Sequence, residues 1–139
     1  MMRKKLIEQL KKHEGIRLMP YKCTAGKLTI GVGRNIEDRG ISEDEAEYML
    51  QNDIDICMHE LSKNLPFFYD LPEVAQIVLI DMCFNMGMPR LLKFKKTLRH
   101  IELGGYRNAS IEMLDSSWAK QVGKRAVTLS NQLASCGEA

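Results

Sequence analysis

The sequence predicts a mostly helical α+β protein with two lobes: a small N-terminal lobe built on a β-hairpin, and a larger helical lobe. Three observations support this. Apolar spacing is helical over residues 2–14 and becomes short and β-like after Gly15. A capping signal at Ser42 opens a long helical pattern that joins the two parts. The run from Val74 to Met86 is so apolar that it indicates a buried central helix.

The length and composition indicate one domain. The chain has 139 residues, of which 45% are hydrophobic and 27% charged, enough to form a core of useful size. We expect residues 15–41 to form the small lobe, 42–64 the connecting helix, and 65–139, with the helix at 2–14, the helical lobe. A cleft between two lobes is the natural place for a site.

The small lobe is predicted around a hairpin. Tyr21–Cys23 and Leu28–Val32 are short and partly β-branched, and they flank Thr24–Gly26, whose glycine suits the left-handed position of a hairpin connection. Gly31 and Gly33 lie two apart in the second predicted strand. Missing side chains at such positions often permit the close approach of backbone or ligand.

The helical part is marked by caps and helix breakers. Ser42 followed by Glu45 forms a capping-box pattern, and the helix it opens is predicted to run to Lys63 before Pro66 stops it. The central helix from Val74 to Met86 follows. Later helices are predicted at Leu91–Leu103, Asn108–Leu114 and Lys124–Leu133.

Charge and cysteine usage narrow the function classes. The net charge is only +2, with no recognition helix, so a nucleic-acid partner is not expected. No secretory signal or membrane-length apolar window is visible, and a cytoplasmic protein is expected. Basic runs near the N-terminus and at Lys93–Arg99 indicate either solvated helix faces or surfaces that attract acidic polymers.

The four distant cysteines fit reduced thiols better than a zinc site, although a disulfide stays open.

Glu14 and Cys23 are the first candidates for chemistry. A carboxylate at a helix C-terminus is disfavoured by the helix dipole, which favours the protonated form that a general acid needs. A surface glutamate with no function is the alternative. Cys23 is either a small buried apolar residue or a nucleophile paired with His13, His59 or His100, and nothing in the sequence selects among these histidines.

Three further residues have a structural and a functional interpretation. Thr29 is most simply a strand residue, whose hydroxyl matters if it faces the cleft. Phe84 and Trp118 are expected in the core rather than as platforms for a ligand, although aromatic rings also stack on sugars.

The segment from Glu14 to Gly33 resembles the active-site segment of the phage-type lysozymes, glycoside hydrolase family 24. That family's pattern is Glu, eight residues, Asp or Cys, five residues, Thr, and this chain matches it without a gap. The resemblance continues over nearly the whole chain, at Ser42–Glu47, Asp81–Gly87, Trp118, Gln121 and Arg125.

The resemblance implies a lysozyme-like fold and a role for each matching residue. Glu14 would be the general acid that protonates the glycosidic oxygen. Cys23 stands where the family usually has Asp, which assists the attacking water or stabilises oxocarbenium charge, and Thr29 would help to hold that water. The implied substrate contacts are the Phe84 ring, Gln121 and Arg125. Arg125 would also pair with the catalytic glutamate.

The same resemblance implies an endolysin that hydrolyses the β-1,4 bond between N-acetylmuramic acid and N-acetylglucosamine in bacterial peptidoglycan. It would wait in the host cytoplasm as a monomer, without a cofactor and without inserting into the membrane. A holin would then give it access to the periplasmic wall.

The departures from the family pattern leave two alternatives open. A neutral thiol at Cys23 stabilises a cation less well than a carboxylate does. Arg34 stands where some relatives have His, and Asn35 and Glu112 lie at positions linked to substrate binding in others. A lytic transglycosylase would keep the substrate and leave 1,6-anhydro ends. A non-catalytic wall-binding protein is the second alternative.

Overall fold

The computed structural model describes residues 1–138, which are mostly helical with one small sheet near the N-terminus. The predicted α+β class is therefore confirmed. The chain contacts divide it into two compact units, Met1–Met49 and the chain from Leu50 onward, and the boundary falls inside a long helix.

The first unit contains a short antiparallel sheet between helices. Its elements are α1 (Met2–Glu14), β1 (Arg17–Lys22), β2 (Leu28–Gly31), β3 (Arg34–Asn35), α2 (Ile36–Arg39) and the start of α3 (Glu43–Asn64). The sheet order is β1-β2-β3, with Tyr21 opposite Thr29 and Thr29 opposite Asn35. The hairpin was predicted, whereas the two-residue strand β3 was not, because it is too short to show an alternating pattern.

A tight turn joins β2 to β3. Ile30 pairs with Arg34, and the three residues between them include Gly31 at φ 72 and Gly33 at φ 70. Positive φ of this kind is costly for residues with a Cβ. The prediction that both glycines lie inside the second strand is therefore wrong, since β2 ends at Gly31 and Gly33 belongs to the turn.

The predicted capping box at the start of α3 is confirmed. The Glu45 backbone N–H donates to Ser42 Oγ at 3.1 Å, and the Ser42 N–H donates to Glu45 Oε1 at 2.8 Å. The helix ends at Asn64, two residues before Pro66, as the proline predicts.

The second unit is helical and contains the rest of α3. Its further helices are α4 (Glu73–Met86), α5 (Met88–Leu91), α6 (Lys95–Glu102), α7 (Tyr106–Leu114), α8 (Ser117–Val122) and α9 (Lys124–Ser135), with 3-10 turns at Phe68–Asp70 and Cys136–Glu138. The single helix predicted over Leu91–Leu103 is wrong, because Phe94 adopts ψ 56 and separates α5 from α6. The short helix α8, capped by the Ser116 hydroxyl, was not predicted.

The two units differ sharply in burial. Within residues 1–49 only Thr29 is buried, and the apolar residues of α1 stay partly exposed. The second unit has a continuous core of residues from α3 to α9, among them Leu79, Met113 and Trp118. The predicted burial of the central helix α4 is confirmed for one of its faces. That α1 belongs to the helical lobe stays a prediction.

Candidate active site

The carboxyl group of Glu14 lies directly over the turn between β2 and β3. Glu14 is the last residue of α1, which ends as Gly15 donates its N–H to the Lys11 carbonyl at 2.9 Å. A Cβ placed on Gly33 would lie 2.7 Å from Glu14 Oε2. That separation is below any normal contact, so Gly33 allows the carboxyl to approach the turn. The sequence predicted close approach of backbone or ligand at Gly31 and Gly33, whereas the group that lies against Gly33 is the Glu14 side chain and no atom lies within 4 Å of a Cβ on Gly31.

Cys23 opens the turn of the first hairpin. Its N–H donates to the Lys27 carbonyl at 2.9 Å, and the Gly26 N–H donates to the Cys23 carbonyl at 2.8 Å. The thiol is free and partly exposed. Its pKa is lowered, mainly by the Lys27 backbone N–H and then by that of Ala25, with a smaller lowering from the Thr29 hydroxyl and opposition from desolvation. The turn therefore stabilises the thiolate by hydrogen bonding.

The Thr29 side chain is buried beside this thiol. Its hydroxyl donates to the Lys27 carbonyl at 2.9 Å and also contributes to the lowered pKa of Cys23. A hydroxyl carries one proton, so it can donate to only one of these two acceptors at a time. The first hairpin thus brings Cys23 and Thr29 together within the first unit. No histidine is among the groups that lower the pKa of Cys23.

An apolar groove in the second unit is lined by Phe84 and bordered by an ion pair. Its volume is about 430 Å³, and its other lining residues are Leu50, Ile54, Ile77, Ile80, Asp81 and Arg125. Arg125 Nε donates to Asp81 Oδ1 at 2.8 Å, and Arg125 Nη2 lies 2.6 Å from the same oxygen. Asp81 is therefore the partner that sequence reasoning missed. The pairing of Arg125 with Glu14 stays a prediction.

Of the two aromatic residues expected in the core, only one is there. Trp118 is 1% exposed, donates from Nε1 to Asn85 Oδ1 at 2.7 Å, and meets the Phe94 ring edge-on. Phe84 is 45% exposed, so its expected burial is wrong. Its position on α4 turns the ring toward the groove and away from the buried face of the helix.

Gln121 is exposed on α8 and does not line this groove. Its Oε1 accepts a hydrogen bond from Arg90 Nη2 at 3.3 Å. The structure therefore brings Phe84 and Arg125 together but gives Gln121 a different neighbour. Its substrate-binding role stays a prediction.

Arg34 forms an ion pair that the sequence did not reveal. Its guanidinium contacts the Glu45 carboxylate, the same group that completes the α3 capping box. Hydrogen bonding from Arg34, followed by that from the Ser42 N–H, lowers the pKa of Glu45 to about 2. The capping pattern identified Glu45 from sequence, whereas its second partner depends on the unpredicted strand β3.

The described residues contain neither a metal-binding cluster nor a membrane-spanning helix. Among the side chains described within residues 1–137, no three His, Cys, Asp or Glu groups gather as metal ligands would. In the same range, no helix combines the length and apolarity needed to span a bilayer.

Comparison with known proteins identifies the family. The family model described as phage lysozyme matches residues 11–134. The chain belongs to the phage lysozyme family. The family is one of glycoside hydrolases, so this phage lysozyme family member is a lysozyme-type enzyme that cleaves peptidoglycan. This agrees with the implied enzyme and argues against the non-catalytic alternative.

Relatives of similar length support the assignment. A probable T4-type lysozyme 2 from Dictyostelium discoideum is 29% identical, over 87% of this chain and 88% of its own. A probable T4-type lysozyme 1 from the same organism is 26% identical, over 86% and 87%. An endolysin from Acyrthosiphon pisum secondary endosymbiont phage 1 is 32% identical, over 84% and 80%.

Proposed function

We propose that the protein hydrolyses the β-1,4 bond between N-acetylmuramic acid and N-acetylglucosamine, with Glu14 as the general acid. The supporting observation is that the Glu14 carboxyl lies directly against Gly33. It belongs to the same unit as the hairpin that contains Cys23 and Thr29. Glu14 is exposed, which leaves its carboxyl accessible to a polymer. In the reaction, protonated Glu14 donates its proton to the glycosidic oxygen as the bond to the anomeric carbon breaks.

The departing sugar leaves positive charge on the anomeric carbon, and a water must attack there. Cys23 and Thr29 form the second half of the proposed site. A thiol with a lowered pKa carries more negative charge at neutral pH than an ordinary cysteine, which favours both the stabilisation of this cation and the acceptance of a proton from water. The Thr29 hydroxyl, beside the thiol, would orient the water.

We place sugar contacts on the second unit. The Phe84 ring is exposed in the groove, where its apolar face can stack on a pyranose. Arg125 is fixed by Asp81 and offers its remaining N–H groups to sugar hydroxyl or acetamido oxygens. Gln121 is the third proposed contact, through its amide. For the biological role we propose host lysis, with a holin admitting the enzyme from the cytoplasm to the wall.

The position of Glu14 can be tested by paired glycine variants. Gly33→Ala would put a Cβ 2.7 Å from Glu14 Oε2, whereas a Cβ on Gly31 meets nothing within 4 Å. Both glycines have positive φ, 70 and 72, so both variants carry similar backbone strain. The Glu14 carboxyl must move away to relieve this contact, and a misplacement of about 1 Å can cost roughly 100-fold in rate. We expect that loss for Gly33→Ala and a far smaller one for Gly31→Ala, measured as kcat on purified sacculi.

The controls for this pair are thermal melts, which should show similar losses for both variants. Equal kcat values for Gly33→Ala and Gly31→Ala would contradict the proposed position of the acid.

The reaction itself is tested by mass spectrometry of the digested muropeptides. Hydrolysis adds water and leaves reducing N-acetylmuramic acid ends. A transglycosylase would instead leave 1,6-anhydro ends through attack by the sugar's own hydroxyl. Reducing ends are expected, and anhydro ends as the main product would replace the hydrolase proposal with the transglycosylase alternative.

A further inference from the structure

Positive charge is concentrated in one short segment of the second unit. Arg90, Lys93, Lys95, Lys96 and Arg99 fall within ten residues, and no acidic residue occurs between Asp81 and Glu102. Because the whole chain carries a net charge of only +2, the remainder is net negative. Such a local excess of positive charge attracts anionic partners.

These cations are available for such a partner. Among the side chains described within residues 1–137, none of the five forms an ion pair with an acidic group, and Arg90 donates a hydrogen bond to the neutral amide of Gln121. Lys95, Lys96 and Arg99 are all exposed.

The helix α6 displays three of the charges on one face. Lys95, Lys96, Arg99 and Leu103 are spaced as neighbours on a helical surface, and they define what we call the α6 cationic face. The opposite side of the helix is anchored, because Thr97, Leu98 and Ile101 are buried. Leu103, which directly follows the helix, is 71% exposed. An apolar side chain therefore lies beside the cations.

Acidic groups border this surface without cancelling it. Glu102 lies beside the α6 cationic face. Glu112 and Asp115 line a shallow depression, and the same depression is lined by Lys93, Lys95 and Lys96. Since none of these acids pairs with the lysines within the described residues, the face stays cationic toward an approaching surface.

We propose that the α6 cationic face docks the protein on bilayers rich in anionic phospholipid. Lysine and arginine each gain free energy near a surface of negative headgroups, and an adjacent leucine adds apolar burial at the headgroup boundary. Leu103 favours a bilayer over a wall polymer, because a hydrated polysaccharide offers no apolar layer for this side chain. Docking is peripheral and does not depend on the proposed catalytic reaction.

The test uses the full chain and sedimentation with vesicles. Vesicles of phosphatidylglycerol mixed with phosphatidylcholine should bind the protein, and pure phosphatidylcholine vesicles should not. Charge reversal in Lys95→Glu/Lys96→Glu should weaken binding by roughly 30-fold or more. The control is Lys4→Glu/Lys5→Glu, which makes the same change of net charge on exposed lysines of α1 and should have much less effect.

More conservative variants show whether the loss of binding comes from unfolding of the charge-reversal variant. Lys95→Gln/Lys96→Gln should weaken binding by about half as much on a logarithmic scale, and Leu103→Ser should weaken it without changing its salt dependence. Binding equal for the α6 and α1 charge variants would overturn the proposal. The proposal would also be overturned if the α6 charge variants, made in the Glu14→Gln background, lost binding to sacculi but kept binding to vesicles. The partner of the α6 cationic face would then be the wall.

Discussion

The unit from Met1 to Met49 buries a single side chain, Thr29, whereas the unit from Leu50 onward encloses a continuous apolar core. The first unit holds Glu14, Cys23 and Thr29 by turns, by hydrogen bonds and by the missing side chain of Gly33. The second is held mainly by packing. The residues proposed for bond cleavage therefore belong to the unit with little core of its own.

This difference has a physical consequence. Free energy from apolar burial scales with the area removed from water, so the second unit carries most of the folding stability. The first unit can accept substitutions at Glu14 and Cys23 at little cost in stability, because the first side chain is exposed and the second partly exposed. Stability and chemistry should therefore respond to different sets of substitutions.

The largest effect on stability is expected in the core. Leu79 is 0% exposed, and Leu79→Ala should lower the free energy of unfolding by about 2–5 kcal/mol. Leu28 in β2 is 37% exposed, and Leu28→Ala provides the matched substitution in the first unit, with an expected loss below about 1 kcal/mol. Urea denaturation measures both. Similar losses would break the contrast between the units.

The next effect concerns activity rather than stability. Cys23→Ser should lose much of the activity, on the order of tenfold or more, because the stabilised thiolate is gone. Cys23→Asp should retain a substantial part, since it supplies a carboxylate. Turbidity loss of permeabilised cells measures activity, and thermal melts of both variants should stay close to wild type.

Alkylation also tests whether the Cys23 thiol takes part directly in the reaction. Burial raises the pKa of the Cys136 thiol, whereas hydrogen bonds from the Lys27 and Ala25 backbone lower the pKa of Cys23. At neutral pH iodoacetamide should therefore modify Cys23 first, and activity should fall in step with that modification. Cys136→Ser is the control and should not change this time course. Full activity after complete modification of Cys23 would rule out a direct role for the thiol.

The smallest effect is expected at Glu45 and depends on pH. Its pKa is lowered from 4.5 to about 2, mainly by Arg34 and then by the Ser42 N–H, so the folded protein favours the carboxylate. The resulting stabilisation is present above about pH 4.5 and is lost as the pH falls toward 2. Glu45→Gln should lower Tm at pH 6 and converge with wild type near pH 2. A constant difference in Tm across this range would contradict the assignment.

Local signals in the sequence predicted several parts of the fold. The capping box at Ser42, the hairpin turn around Gly26 and the buried helix α4 each follow from side chains close together in the chain. The spacing of Glu14, Cys23 and Thr29 likewise predicted a site. That Cys23 and Thr29 are neighbours is confirmed, whereas the catalytic roles stay predictions.

Features that depend on distant partners were beyond sequence reasoning. Arg125 contacts Asp81, 44 residues earlier, and no local pattern links the two. The strand β3 exists because Arg34 and Asn35 pair with β2, and two residues alone show no periodicity. The break at Phe94 has neither glycine nor proline to announce it, since only its backbone angles interrupt the helical pattern.

The most direct test of the central claim is the turnover of Glu14→Gln on purified sacculi, measured together with its Tm. The substitution removes the transferable proton and keeps the size of an exposed side chain. We expect a loss of roughly 10²–10⁴-fold in kcat, with Tm near that of wild type. Turnover close to wild type would show that Glu14 is not the general acid.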